Sequence, residues 1–206
     1  MTTASAAPDA ALTVFLNCPF DREYEPLLDA VVFTCVHAGF FPLIASSSGS
    51  VAAPRLERIL RSLASARFSI HDLSRCHGEG DENLARFNMP LELGMAMAIR
   101  GVPANEPASH DYLILVPDEA HAHQRFISDL SGLDPYLHDH TPEAVSARVL
   151  SWLVALPEAP GFISPDTVIS KLEPFGDAVG NLRREWRGGP PPWRAVIETA
   201  TRIAAG

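Results

Sequence analysis

Four short apolar runs alternate with three helical repeats in the first 117 residues, and that alternation limits the fold more than any other feature. The runs Leu12 to Asn17, Phe40 to Ile44, Arg67 to Asp72 and Tyr112 to Val116 are brief and carry β-branched or aromatic residues. The first is followed by Cys18-Pro19-Phe20-Asp21, which a helix cannot cross at Pro19. From Tyr24 to Ala38, Leu27, Leu28, Val31, Val32 and Cys35 recur at helical spacing, with Gly39 placed as a C-terminal cap. Leu56, Ile59, Leu60 and Leu63 mark a second amphipathic helix with Arg55, Arg58 and Arg61 interleaved, and Asn88-Met89-Pro90 open a third that runs to Arg100 before Gly101. Strands and helices in this order make βαβ units with right-handed crossovers. The expected fold is therefore a Rossmann-like or flavodoxin-like three-layer α/β domain, its sheet parallel and strand one central.

Beyond Pro117 the pattern weakens. Arg125 to Asp134 fits either a short helix or a fifth strand, and Thr141 to Leu156 reads as a helix with Pro142 at its start. Asp166 to Trp186 is helical with an interruption near Pro174 to Gly176. After Gly188-Gly189-Pro190-Pro191-Pro192, a last helix from Trp193 to Ala205 carries Ile197, Thr201 and Ala204 on one stripe. Three segments follow: a disordered leader over 1–11, the α/β domain over 12–156, and extra C-terminal helices over 157–206, whose Trp186 and Trp193 suit the interface of a homo-oligomer.

Composition narrows the function. With 206 residues and 47% apolar side chains the chain can bury one full core. Its formal charge of −9, from 16 basic and 25 acidic residues, makes nucleic acid and anionic lipid poor partners. No apolar run approaches the ~18 residues of a membrane span. Cys18, Cys35 and Cys76 form no C-x-x-C pair, so neither a disulfide framework nor a zinc knuckle is indicated, and a reducing cytoplasm fits. The pairs His121-x-His123 and His138-x-His140 have a spacing that fits no helix face and read as exposed loop histidines, leaving no metal expected. A dinucleotide-binding G-x-G-x-x-G turn and a phosphate-loop G-x-x-x-x-G-K-[ST] are both absent. The single lysine, Lys171, cannot serve as the lysine that follows strand five in receiver-type domains.

In open parallel sheets, ligands sit beyond the strand carboxyl ends where the strand order reverses. The loops after Asn17 and Asp72 occupy that place. Asn17, Pro19, Phe20 and Asp21 follow strand one, Asp72 and Ser74 follow strand three, and Glu92 stands in the first turn of the next helix. A carboxylate there can stabilise or trap a positive charge that develops on a bound substrate. An acid near a helix start also gains ~0.3 to 1 kcal/mol from the helix dipole alone, so a purely structural role for Glu92 stays open. Phe20 offers a face for a base. Arg75 and Arg86 flank the same loop and are either solvated or a phosphate clamp, and Asn88 opens the helix beside them. The run Ser46 to Ser50 is either a flexible loop or a source of amides for phosphate, and Cys18 reads as a buried, inert thiol.

The segments F-L-N-C-P-F-D, I-H-D-L-S-R and R-F-N-M-P-L-E-L-G-M-A-M-A resemble the bacterial TIR-like group related to nucleoside 2-deoxyribosyltransferases, over roughly residues 12–156. The resemblance implies that Glu92 is the catalytic carboxylate and that Asp72 and Ser74 position the sugar, in the cleavage of a ribosyl N-glycosidic bond that builds positive charge on the sugar ring. Leu91 before the glutamate and the N-C-P-F-D loop depart from the transferase pattern. Two readings result: an N-glycosidic-bond enzyme, hydrolase or transferase, acting without a cofactor on a nucleotide, nucleoside or NAD; or a catalytically silent TIR-like module that binds a nucleotide signal or assembles with other proteins.

Overall fold

The computed structural model describes residues 9–48, 52–75, 87–101, 110–117, 130, 132–187 and 189–206. Five strands, β1 (Thr13–Asn17), β2 (Phe41–Leu43), β3 (Phe68–Asp72), β4 (Asp111–Pro117) and β5 (Tyr136–His138), form one sheet in the order β2-β1-β3-β4-β5. Every pairing is parallel. This is the doubly wound, flavodoxin-like order, with its reversal between β1 and β3. The central strand is β3, and β1 lies next to it rather than in the middle. The fifth strand falls just beyond the segment expected to hold it. Tyr-Leu-His is too short and too polar to show a period, and its pairing with β4 alone makes it a strand. Within that expected segment, residues 125–129 and 131 lie outside the described residues.

Among the described residues there are seven α-helices: α1 (Glu25–His37), α2 (Arg55–Ser65), α3 (Asn88–Gly101), α4 (Pro142–Leu153), α5 (Pro165–Ile169), α6 (Leu172–Glu185) and α7 (Trp193–Ala205). Alternation along the strands divides the core in two. Val14, Leu16, Phe68, Ile70, Leu113 and Leu115 face α1, α4, α6 and α7. On the other face Phe15 meets Ile59, Leu63 and Ala96, while Leu73, Ile114 and Val116 meet Met89 and Leu93, so α2 and α3 cover that side. Helix α1 stops at Gly39, whose φ of +82° allows Phe40 N–H to close back on the Cys35 carbonyl at 2.8 Å. A Cβ at Gly39 would stand 3.1 Å from Pro160 Cγ.

Two helical stripes sit differently from expectation. In α2, Ile59, Ser62 and Leu63 are buried while Leu56 and Leu60 are 48% and 43% exposed, because the small Ala96 of α3 draws the contact to one side of the helix. In α7, Val196, Thr199 and Ala200 turn inward and Thr201 faces solvent. The break expected near Pro174 to Gly176 lies earlier, at Ser170-Lys171. Pro174 occupies the first turn of α6, where a missing N–H costs nothing.

The helices after residue 157 share the core of the sheet. Phe175 of α6 is fully buried, its ring 5.1 Å from that of Phe33 in α1. Arg183 grips both oxygens of Asp29 at 2.8 and 2.7 Å, and Trp193 Nε1 donates to the Pro42 carbonyl of edge strand β2 at 3.0 Å. At the other end of the chain Asp9 caps a 3-10 turn over Ala10–Leu12. Among the described residues no helix is long and apolar enough to cross a membrane.

Candidate functional site

The carboxyl end of the sheet carries two buried polar assemblies and one open cleft. The first assembly grows from the register of β1 and β3, which sets Asn17 beside His71. Asn17 Nδ2 donates to the Met89 carbonyl at 2.9 Å and to His71 Nδ1 at 2.9 Å. His71 Nε2 and His110 Nε2 each lie 2.8 Å from Ser69 Oγ, and His110 Nδ1 lies 3.0 Å from the Ala66 carbonyl. Carbonyls only accept, so His110 must donate from Nδ1, Ser69 donates to His110, His71 donates to Ser69, and Asn17 donates to His71. The wire has one consistent direction and needs both imidazoles neutral. Burial, reinforced by His110, pushes the His71 pKa down to about 3. Burial lowers that of His110 as well.

One residue along β3, Asp72 points to the opposite face, toward α1. Its Oδ2 accepts from the Tyr24 hydroxyl at 2.5 Å and lies 3.3 Å from His138 Nε2; its Oδ1 accepts from the Ser74 N–H at 2.7 Å. His138 Nδ1 accepts from the His140 N–H at 3.2 Å, so His138 carries its hydrogen on Nε2, directed at Asp72 and Ser74 Oγ. Tyr24, Asp72, Ser74 and His138 are all buried. Cys18 is sealed beside them, its thiol pKa pushed up by burial and by Asp72. His138 thus departs from the expected exposed loop histidine, because β5 carries it into the sheet end. His140 is exposed as expected, with φ at +63°. His121, His123 and Cys76 lie outside the described residues. Among the described residues no group of three His, Cys, Asp or Glu side chains could hold a metal ion.

Glu92 stands apart from both assemblies. It lies in the second turn of α3 rather than the expected first, because the helix already starts at Asn88, and its side chain is buried against one wall of a cleft of about 1820 Å³ at the β1–β2 side of the sheet. Arg55 approaches it at 3.7 Å with a side chain that is 62% exposed. Burial raises the Glu92 pKa, and Arg55 offsets only part of that rise. Phe20 lines the same cleft and is 50% exposed. Ser46, Ser47 and Arg58 continue the wall, and the Gly189 to Trp193 segment contributes another part of it.

The sequence-derived site residues therefore divide into groups. Asn17 belongs to the histidine wire, and Asp72 with Ser74 to the α1-side cluster. Asp21 takes the Arg75 guanidinium on both oxygens at 3.2 and 2.7 Å, with Glu23 3.1 Å from the same Arg75. Arg75 thus ties the β3 loop to the β1 loop. Pro19 is buried and Asn88 exposed, while Arg86 lies outside the described residues. Asp72 and Glu92, expected to work together, face opposite sides of the sheet, because neighbouring strand residues point opposite ways. Tyr24, His71 and His138 had no role in the sequence-based site. Only the strand register and the late β5 reveal them.

Fold and cleft together define an α/β domain of flavodoxin-like topology with an arginine-lined crevice holding one nearly buried glutamate. No protein-family model, no curated protein and no solved structure matches the chain.

Proposed function

We propose that the chain cleaves or transfers an N-glycosidic bond of a nucleotide, nucleoside or NAD, with Glu92 as the group that meets the sugar. The observation supporting this is a carboxylate withdrawn from water at the wall of a large cleft, held only loosely by one exposed guanidinium. A poorly solvated carboxylate is well suited to a developing ribosyl cation, since little hydration must be removed before it acts. In the step, the C1′–N bond breaks and its electron pair leaves with the base. Glu92 either forms an ester with C1′ or stabilises the cation, and water or an acceptor base completes the exchange. The atoms balance without a cofactor. Phe20 offers its ring to the base at the cleft mouth. Asp72 serves as a positioning residue that fixes the loops after β1, β3 and β5 and does not touch the substrate. A reducing cytosol suits this chemistry, Cys18 and Cys35 being buried, unbridged thiols.

The second reading, a silent nucleotide-binding module, draws on the Arg55–Glu92 contact, which would make Glu92 a counter-ion of the cleft wall. Incubating the protein with NAD and a panel of nucleosides and nucleotides, and separating free base by chromatography, distinguishes them. Base release by the wild type that falls by two or more orders of magnitude in Glu92→Gln supports the enzyme. A folded Glu92→Gln protein that releases base at the wild-type rate removes Glu92 from the mechanism, and a wild type inert toward the whole panel favours the binding module.

A further inference from the structure

We propose that the cleft captures its ligand by a phosphate group held by Arg58 and Arg55, so that nucleotides rather than nucleosides are its substrates. The inference rests on the N-glycosidic reading for the sugar and base, whereas the anion site stands on its own geometry. Fifteen of the 16 basic residues in this acidic chain are arginine. Among the described residues six of them line this cleft against four acids, a local surplus of two positive charges in a molecule of net −9. Arginine's planar fork matches phosphate oxygens, and a cleft focuses the field of such groups.

The cleft arginines are not equally committed. Arg183 is held by Asp29 on both oxygens and Arg194 by Glu198 at 2.7 Å. Arg55 has only the 3.7 Å approach to Glu92. Arg58, one helical turn further along α2, has a buried Nε with no hydrogen-bond partner. A guanidinium N–H shut away from water without an acceptor is unfavourable, and a turn of the Arg58 side chain toward an anion in the cleft would give it one. Ser46 and Ser47 line the same cleft and add hydroxyls to the site. The arrangement places the phosphate donors on α2, within a helical turn of the arginine that touches Glu92. A nucleotide could then lay its sugar at the carboxylate and its phosphate at Arg58.

Calorimetric titration of the full chain with AMP, adenosine and inorganic pyrophosphate tests this, using wild type, Arg58→Gln and Arg58→Lys, with circular dichroism as the check on folding. The expected result is AMP binding at least tenfold tighter than adenosine, with Arg58→Gln erasing the preference while adenosine affinity stays within twofold. Arg58→Lys should recover only part of the preference, since it restores charge but not the Nε donor. Equal affinity for AMP and adenosine in the wild type, or an undiminished preference in Arg58→Gln, would overturn the proposal. Should Arg58→Gln fail to fold, the lysine variant decides: a full wild-type preference there refutes the Nε role. Pyrophosphate binding that depends on Arg58, without binding of AMP or adenosine, would overturn the assignment of nucleotides to the cleft. An AMP preference that Arg58→Gln erases, without base release from any compound of the panel, would uphold the phosphate site and sink the N-glycosidic reading.

Discussion

Asp72 and Glu92 are both acids at the carboxyl end of the sheet, and both are buried, yet their surroundings differ in kind. Asp72 is closed in by hydrogen bonds from the Tyr24 hydroxyl and the Ser74 N–H and by His138 Nε2 at 3.3 Å. Glu92 has a single exposed arginine at 3.7 Å and a cleft in front of it. A saturated polar cluster has nothing left to offer a ligand and stabilises its loops. An under-partnered acid carries a folding cost that a ligand can relieve, which is the common signature of a functional group.

The contrast can be broken most forcefully from the closed side. Asp72→Ala strands the Tyr24 hydroxyl and the Ser74 amide in a dry site, while His138 Nε2 keeps Ser74 Oγ, and should cost about 2–5 kcal/mol in urea unfolding, orphaned buried donors costing roughly 1–3 kcal/mol each without strict additivity. A loss under 1 kcal/mol would mean the cluster is not closed. His71→Leu cuts the wire between Asn17 and Ser69 and should cost about 2–4 kcal/mol by the same reasoning. Its measurable companion is loss of amide-exchange protection at the ends of β1 and β3.

Acid sharpens the comparison. His71 and His110 both have lowered pKa values in the fold, so the unfolded chain takes up their protons first. Stability from these two histidines is complete above about pH 6.5 and is lost as pH falls below it, for His71 down to about 3, at up to about 1.4 kcal/mol per pH unit for each group while it titrates. Glu92 has the opposite sign. Its raised pKa means that ionising it in the fold is unfavourable, so its cost is absent below its ordinary value of 4.5 and grows as pH rises above it. Glu92→Gln should accordingly unfold at a slightly higher temperature than wild type at pH 7, and the gap should vanish below about pH 4.5. A gap that persists unchanged at pH 4 would place its origin outside the titration of Glu92.

The architecture was legible because it rests on periodicity. Four strands and their helices could be read from β-branched runs and 3.6-residue spacing, and Gly39 and Pro142 mark the ends where they were expected. What escaped was whatever depends on which way a residue faces once neighbours are fixed. The α2 stripe turned away from Leu56 and Leu60 because packing against Ala96, not hydrophobicity alone, chose the buried side. The three-residue β5 is visible only through its pairing with β4, and with it went the burial of His138. The site suffered from the same blindness. Asp72 and Glu92 look like partners along the chain, but His71 and Asp72 are neighbours on a strand and must diverge. The arginines of α2 were seen as an interleaved pattern, yet nothing in the spacing foretold that Arg58 Nε would be shut into the cleft wall.

The most direct measurement of the contrast is the melting temperature of Asp72→Asn and Glu92→Gln, recorded side by side at pH 7 in the full chain. For a chain of this size about 1 kcal/mol moves the midpoint by roughly 2–4 °C. Asp72→Asn, which keeps the shape but turns one acceptor oxygen into an NH2 facing donors, should therefore lower it by about 4–10 °C, through a loss of roughly 2 kcal/mol or more. Glu92→Gln should leave the midpoint unchanged or raise it. Equal losses in the two variants, or a larger one in Glu92→Gln, would show that Glu92 is as structural as Asp72 and would contradict its assignment as the working carboxylate of the cleft.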